Sequence, residues 1–238
     1  EQMEIDLTHA GISYELVQTE APHHGIELAR QAVLDRFSPI IAAGGDGSIS
    51  EVVNGIVQAA QENSTPPPPL GVLPLGTAND LMVNLKLPLD LQKAIQVIAL
   101  GHTRSIDLGK ITAWDITGQT SLTRYFDNNS AIGLEPSITL IQQRIKWLRG
   151  TSRYLLATLL GVIRNPQWTM HLQWAGGEYH GPSTLVTAGN NPLTGGLFYM
   201  APHAEAFDGL LSIVYGSMPT RRKILQLLPR TMKPGAGS

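Results

Sequence analysis

Two short glycine-rich segments in this chain carry residues that could hold a phosphate. The first runs Ile40-Ile-Ala-Ala-Gly44-Gly45-Asp46-Gly47-Ser48 and continues through Glu51 to Asn54-Gly55. An apolar run, a glycine turn and a helical repeat follow one another there without a gap. Glycine lets backbone N–H groups approach a phosphate closely, and a helix N-terminus adds partial positive charge at the same point. Asp46 would repel a bare phosphate, so beside one it implies an intervening Mg2+ or a proton or hydroxyl to handle. An ordinary turn between strand and helix also uses glycine for its geometry, but three glycines around one acid make that the weaker reading. The second segment is Leu73-Pro-Leu75-Gly76-Thr77-Ala-Asn79-Asp80-Leu81. Gly76 permits close backbone approach, and Thr77 and Asn79 offer short hydrogen-bonding side chains. Alone this segment is also a respectable turn and helix cap. In a parallel sheet, however, two glycine loops that follow two strands lie at one carboxyl edge, where ligands bind. Asp208-Gly209, read by itself, suits a plain β-turn.

Other chemistries find little support. The chain has no cysteine, which excludes disulfides, thiolate metal sites and a cysteine nucleophile. Absence of cysteine also fits a reducing cytoplasm. The histidines at 9, 23, 24, 102, 171, 180 and 203 show no ligand spacing and are assigned no catalysis. There is no Gly-x-Ser-x-Gly elbow and no Gly-x-x-x-x-Gly-Lys-[Ser/Thr] loop. A net charge of -2 provides no global attraction to nucleic acid or to anionic lipid, so any membrane contact must be local.

The elements that must position the glycine segments alternate along the first hundred residues. Tyr14 to Gln18 reads as a strand. Ile26 to Phe37 reads as an amphipathic helix with Ala29, Ala32, Val33 and Phe37 inward. Residues 39–43 form a short apolar run that ends in glycine, as a buried parallel strand should. Ile49, Val52, Val53, Ile56, Val57 and Ala60 make one helical stripe. Ser64-Thr-Pro-Pro-Pro-Pro69 predicts an exposed stiff loop, Leu70 to Pro74 another strand, and Asp90 caps a helix running to Gly101. The expectation is an α/β domain with a mostly parallel sheet over residues 1–104. From 105 to 238 the texture becomes mainly antiparallel β. Trp168, Met170, Leu172 and Trp174 alternate with polar residues, and Ser183 to Ala188, Gly196 to Met200 and Leu210 to Tyr215 add strand candidates. One helical stretch, residues 138–164, interrupts them. Its basic residues Arg144, Lys146, Arg149, Arg153 and Arg164 read as the solvated face of a core helix, in preference to a membrane-facing surface. Asn190-Asn191 reads as turn chemistry. The longest apolar run, Tyr154 to Ile163, is about half of what a spanning helix needs.

Taken together, the two glycine segments resemble the catalytic domain of diacylglycerol kinases, sphingosine kinases and bacterial soluble lipid kinases. Ser105-Ile-Asp107-Leu-Gly109, Asn129-Ser-Ala-Ile-Gly133, Asn190 before Gly195-Gly196, and Ala201-Pro-His-Ala204 before Asp208-Gly-Leu-Leu211 continue the likeness in the family's order. The resemblance implies a nucleotide-binding α/β domain, a C-terminal β-sandwich, an active site between them, and ATP- and Mg2+-dependent phosphorylation of a lipid hydroxyl. It implies nucleotide contacts at Thr19, Gly44, Gly45, Asp46, Gly47, Ser48, Glu51, Gly76, Thr77 and Asn79, with Asp46 as the catalytic acid. It also implies a structural Mg2+ at Asp208, with Glu205 and Leu210 completing the contacts as carbonyls. The partner is then a lipid at a membrane surface, met by transient peripheral contact from the cytoplasm, and no nucleic acid. The oligomeric state is left open. The family's opening strand is expected ahead of Glu1, and the glutamate of its late Asp-Gly-Glu motif, which resembles a general base, beyond Ser238. Gly-Gly-Asp-Gly occurs as well in NAD kinases and phosphofructokinases, which lack the second segment. A catalytically silent lipid- or nucleotide-binding module is the reading from another class.

Overall fold

The computed structural model describes residues 2–148, 150–164, 167–217 and 220–234. Arg149 and the last four residues of the chain lie outside the described set. By its contacts the chain divides into two units, Glu1–Asp127 and Asn128–Ser238.

In the first unit the two apolar runs become strands β1 (Ile40–Gly44) and β2 (Leu70–Pro74). They pair in parallel, from Ile40 opposite Leu70 to Gly44 opposite Pro74. Parallel pairing needs a crossover, and α3 (Asp46–Glu62) supplies it. The expected stripe faces inward: Ile49, Val53, Ile56 and Ala60 are buried, Val52 and Val57 pack against the core, and Ala59 is buried beside them. Helix α2 (His24–Leu34) lies directly on α3, because Gly55 has no side chain to hold it away. A Cβ there would fall on the Ile26 carbonyl and 2.9 Å from the Arg30 nitrogen. Helices α1 (Gln2–His9), α4 (Asp80–Asn84) and α5 (Leu91–Ala99) complete the α/β part. Leu7, Leu73, Met82, Ala94 and Ile95 share a second core cluster. As expected, Asp90 caps α5, accepting from the Lys93 N–H at 3.0 Å, and Gly101 beyond its end takes a left-handed φ of 69°.

The hairpin of β3 (Gly109–Trp114) and β4 (Ser121–Phe126) belongs to this unit too. The sequence changes texture near residue 104, just after α5, yet the compact unit runs on to Asp127 because the hairpin packs on α3. Ile106 and Tyr125 join the α3 core. The Asn54 amide accepts from the Tyr125 N–H at 2.9 Å and donates to the Tyr125 carbonyl at 2.8 Å. A buried side-chain amide thus completes the strand's hydrogen bonding.

Two local expectations are corrected here. Residues 12–20 form no strand, so Tyr14 to Gln18 is not one. Tyr14, Leu16 and Val17 are exposed, so the short alternation there finds neither a neighbouring ladder nor a buried face. Phe37 is not inward. Arg36 turns left-handed with φ 64°, the Phe37 N–H closes back on the Ala32 carbonyl, and the ring is left exposed. The parallel ladder consists of two strands among the described residues.

In the second unit, β5 (Asn129–Gly133), β8 (Leu185–Gly189) and β11 (Ser212–Gly216) form an antiparallel sheet in the order β11-β8-β5. The alternating tryptophan segment forms β6 (Trp168–Trp174), paired with β7 (Gly177–Ser183). The segment before Met200 yields only the two-residue strands β9 (Leu193–Thr194) and β10 (Phe198–Tyr199), and the last strand starts at Ser212, leaving Leu210 and Leu211 exposed. The single helical stretch becomes two helices, α6 (Leu134–Arg144) and α7 (Gly150–Arg164). Leu134, Ile138, Ile141, Ala157 and Val162 pack with Ile224 of α8 (Arg221–Thr231).

The outer face of α7 differs from expectation. Leu155, Leu159, Leu160 and Ile163 are exposed there, so the helix turns an apolar face outward and not a purely basic one. Trp147, before α7, is 76% exposed. Asn190 and Asn191 are buried, and both backbone N–H groups donate to the Asn128 carbonyl.

Candidate active site

The parallel register of β1 and β2 puts the two glycine segments at one strand edge, and they touch. The Leu75 N–H donates to the Gly44 carbonyl at 3.1 Å. A Cβ built on Gly45 would come within 3.0 Å of the Gly76 Cα, and one built on Gly76 would collide with the Gly45 Cα. Two backbones approach this closely only when both residues are glycine. Gly44 is constrained in another way, since its Cβ would overlap Ser48. Gly47 is different. An added Cβ there meets no atom within 4 Å, so the first turn of α3 opens onto free space. Residues 46–48 lie in that first turn, where backbone N–H groups have no partner within the helix. Gly47 and Ser48 are exposed, and Asp46 is half-buried.

The side chains named from the sequence divide by what they bind. Asn79 is buried in a left-handed conformation with φ 51°, which asparagine tolerates better than most residues. Its Oδ1 accepts from the Gly76 N–H at 3.1 Å and its Nδ2 donates to the Gly76 carbonyl at 3.2 Å. It therefore shapes the second turn. Asp46 Oδ1 accepts from the Leu81 N–H at 3.4 Å, linking the start of α3 to the start of α4. Glu51 is held by main chain: its two oxygens accept from the His23 and Gly25 N–H groups, each at 2.9 Å. This bidentate contact anchors the turn into α2, where His23 has φ 69°. Thr77 and Thr19 are exposed, the latter outside any element.

Asp127 was not singled out by sequence reasoning. It is 5% exposed, directly after the buried Phe126. Burial, reinforced by the nearby charge of Asp46 and opposed by its own backbone N–H, pushes its carboxyl up to about 6. The available signal was an acid directly after the Tyr125-Phe126 end of a strand, which by itself does not reveal what it faces.

In the second unit the loop of Glu205, Asp208 and Leu210 is exposed. Asp208 Oδ1 accepts from the Leu210 N–H at 2.9 Å, and Gly209 between them has φ 73°. Among the described residues no three His, Cys, Asp or Glu side chains are grouped to share a metal ion.

Residues 1–111 match the family model described as the diacylglycerol kinase catalytic domain. Residues 129–236 match that of the YegS C-terminal NAD kinase beta sandwich-like domain. A protein of Chromohalobacter salexigens named "Probable lipid kinase YegS-like" is 32% identical over 207 residues, which cover 82% of this chain and 62% of that protein. A diacylglycerol kinase of Staphylococcus aureus is 28% identical over 211 residues, covering 88% of this chain and 62% of its own length. The crystal structure of a diacylglycerol kinase from Bacillus anthracis str. Sterne superposes with a TM-score of 0.72 at 20% identity, over 98% of this chain and 73% of that one. That last likeness concerns the fold. The chain spans about three fifths of the length of the curated relatives it matches.

Proposed function

The chain joins a diacylglycerol kinase catalytic domain to a YegS-type β-sandwich-like domain and belongs to that two-domain family, and on this footing we propose that it transfers the γ-phosphoryl group of ATP to a lipid hydroxyl. The observation that carries the reading is the contact of Gly45 with Gly76 beside the open first turn of α3. Backbone N–H groups of residues 46–48, with the helix dipole behind them, suit the oxygens of a polyphosphate. Thr77, on the second turn, and Thr19 would serve as nucleotide contacts. Asn79 and Glu51 act by holding their turns in shape. Asp46, beside this polyphosphate surface, is the residue suited to face Mg2+ or the transferring group. Mg2+ there would offset charge on the phosphate oxygens, and a second cation at Asp208, with Glu205 and Leu210, would brace its loop. A lipid hydroxyl titrates far above neutrality, so a carboxylate must take its proton as the phosphoryl group arrives.

The lipid implies contact with a membrane surface. Leu155, Leu159 and Ile163 recur every fourth residue along the exposed side of α7, among Arg144, Lys146, Arg153 and Arg164 and near the exposed Trp147. Apolar and aromatic side chains interspersed in sequence with cations suit an anionic headgroup region. No helix among the described residues is long and apolar enough to cross a membrane.

The test is transfer of labelled γ-phosphate from Mg-ATP to a panel holding diacylglycerol, sphingosine and ceramide vesicles, NAD and fructose 6-phosphate. Label on a lipid, lost in Asp46→Ala, is expected. Label on NAD or on the sugar phosphate would overturn the lipid assignment. Tight ATP binding with no transfer to any acceptor would favour a silent binding module.

A further inference from the structure

The last helix of the second unit gathers positive charge in a chain that has little to spare. Residues 221–234 hold Arg221, Arg222, Lys223, Arg230 and Lys233 and no Asp or Glu, although the net charge of the chain is -2. Arg230, in the last turn of α8, and Lys233, just beyond it, line a cavity of about 190 Å3. That is room for roughly six waters at about 30 Å3 each, enough for a tetrahedral oxyanion and part of its hydration. His203 and Tyr199 of β10 line the same cavity, with Met200 and Val214 of β11 as apolar lining. No Asp or Glu among the described residues lines it.

The loop after β10 supplies part of the wall, and the sheet holds that loop in place. Ala201 and Ala204 are buried against β8 at Gly189, where an added Cβ would overlap the Ala201 Cβ and lie 3.6 Å from the Ala204 Cβ. The Ala204 N–H donates to the Ala201 carbonyl at 2.9 Å, closing a turn that leaves His203 exposed between them. At the end of α8 the Thr231 hydroxyl donates to the Leu228 carbonyl at 2.8 Å and the Lys233 N–H to the Arg230 carbonyl at 3.1 Å, so neighbouring groups satisfy these helix-end acceptors. The Arg230 and Lys233 side chains meet no hydrogen-bond or ion-pair partner among the described residues. Cations in a last turn often answer the helix dipole. Here both also line a cavity that contains nothing to neutralise them.

The donors define the ligand. A guanidinium offers N–H groups in a planar fork, an ammonium offers three more, and neither can accept. A phosphate monoester brings about -1.5 to -2 charges at pH 7 and three acceptor oxygens, which answers two fixed cations in both charge and hydrogen bonding. A neutral or cationic ligand would leave both cations unanswered. Met200 and Val214 give a carbon stem somewhere to lie. We propose that this cavity binds a phosphate monoester group, either as a small free phosphate or as the phosphorylated end of a larger molecule. The proposal concerns the second unit alone and does not rest on the kinase reading. Arg230, Lys233 and His203 are exposed, so the attraction is open to screening by salt.

The test is calorimetric titration of the whole chain with inorganic phosphate, glycerol 3-phosphate, dihexanoyl phosphatidate and, as the uncharged comparison, glycerol. The glycine turns also suit phosphate, so the parent, Gly47→Leu and a double variant, Arg230→Gln with Lys233→Gln, are compared at low salt. Binding should survive Gly47→Leu and fall about tenfold or more in the double variant, as expected when two charge-assisted contacts at exposed positions are lost. The melting temperature of the double variant should match that of the parent, because neither removed cation bonds to the protein. Raising the salt from about 50 to 300 mM should weaken binding by the Gly47→Leu protein several-fold. Tightest binding of phosphatidate would support the proposal with a lipid headgroup as the source, and equal binding of the three phosphates would support it with a soluble one. Binding that Gly47→Leu abolishes, that the double variant retains or that glycerol reproduces would each overturn the proposal, as would no binding of any phosphate. Should the double variant melt early, the salt series on Gly47→Leu decides, and an affinity indifferent to salt overturns the proposal.

Discussion

Replacing Asp127 by asparagine should change how the stability of the first unit depends on pH. The folded carboxyl titrates at about 6 against an ordinary 3.8, mainly through burial. Folding therefore favours the protonated form. Its contribution is fully present below pH 3.8 and is lost as pH rises through about 6, since the folded state holds a proton that the unfolded state releases. At about 1.4 kcal/mol per pH unit, the cost of carrying this charge buried at pH 7 is ~3 kcal/mol. That is a large part of the 5–15 kcal/mol on which a typical domain stands. Asp127→Asn has nearly the same shape and no charge, so the cost should disappear. The assay is hydrogen exchange of the α3 amides between pH 4 and 8, corrected for intrinsic rates, which reports the first unit without interference from the second. The parent should lose ~3 kcal/mol of α3 protection across that range relative to the variant. Parallel curves for the two proteins would refute the reasoning, because they would mean that Asp127 carries its charge at no cost.

Three further substitutions probe the scaffold and the surface. Gly55→Ala should cost about 1–3 kcal/mol or more, read as a lower thermal midpoint of the first unit, because its Cβ meets α2 backbone that cannot yield. Asn54→Ala should cost about 2–4 kcal/mol by the same measurement, since it strands both the N–H and the carbonyl of Tyr125. Leu159→Glu together with Ile163→Glu, both on exposed positions, should leave the melting temperature within about 1 kcal/mol equivalent of the parent while cutting co-sedimentation with anionic vesicles several-fold.

The glycine site was legible because its signals are local. Strand, glycine turn and helix are contiguous at residues 40–62, and the parallel register that brings Gly76 to Gly45 follows from two apolar strands joined by a helix. The fold class was legible for the same reason. What failed depended on partners distant in sequence. Tyr14 to Gln18 has a strand's composition but no ladder beside it. The α7 residues Leu155, Leu159 and Ile163 look like core by composition, and only the packing of Ala157 and Val162 shows that the opposite side faces inward. The Glu51 carboxylate binds main chain 26 and 28 residues away, a contact that no spacing announces. Asp127 is buried where separate elements meet, and no spacing announces it.

Gly47→Leu tests the phosphate surface most directly. An added Cβ there meets no atom, so the fold should tolerate the side chain, and a helix former replacing glycine should hold or raise stability by up to about 1 kcal/mol. The Cβ bond points toward the helix N-terminus and fills the space where phosphate oxygens would lie. Titration with a fluorescent ATP analogue and Mg2+ should show saturable binding by the parent and a loss of at least about tenfold in the variant, which is more than 1.4 kcal/mol, with α3 protection unchanged. Equal affinity in the two proteins would mean that the paired glycine turns hold no nucleotide.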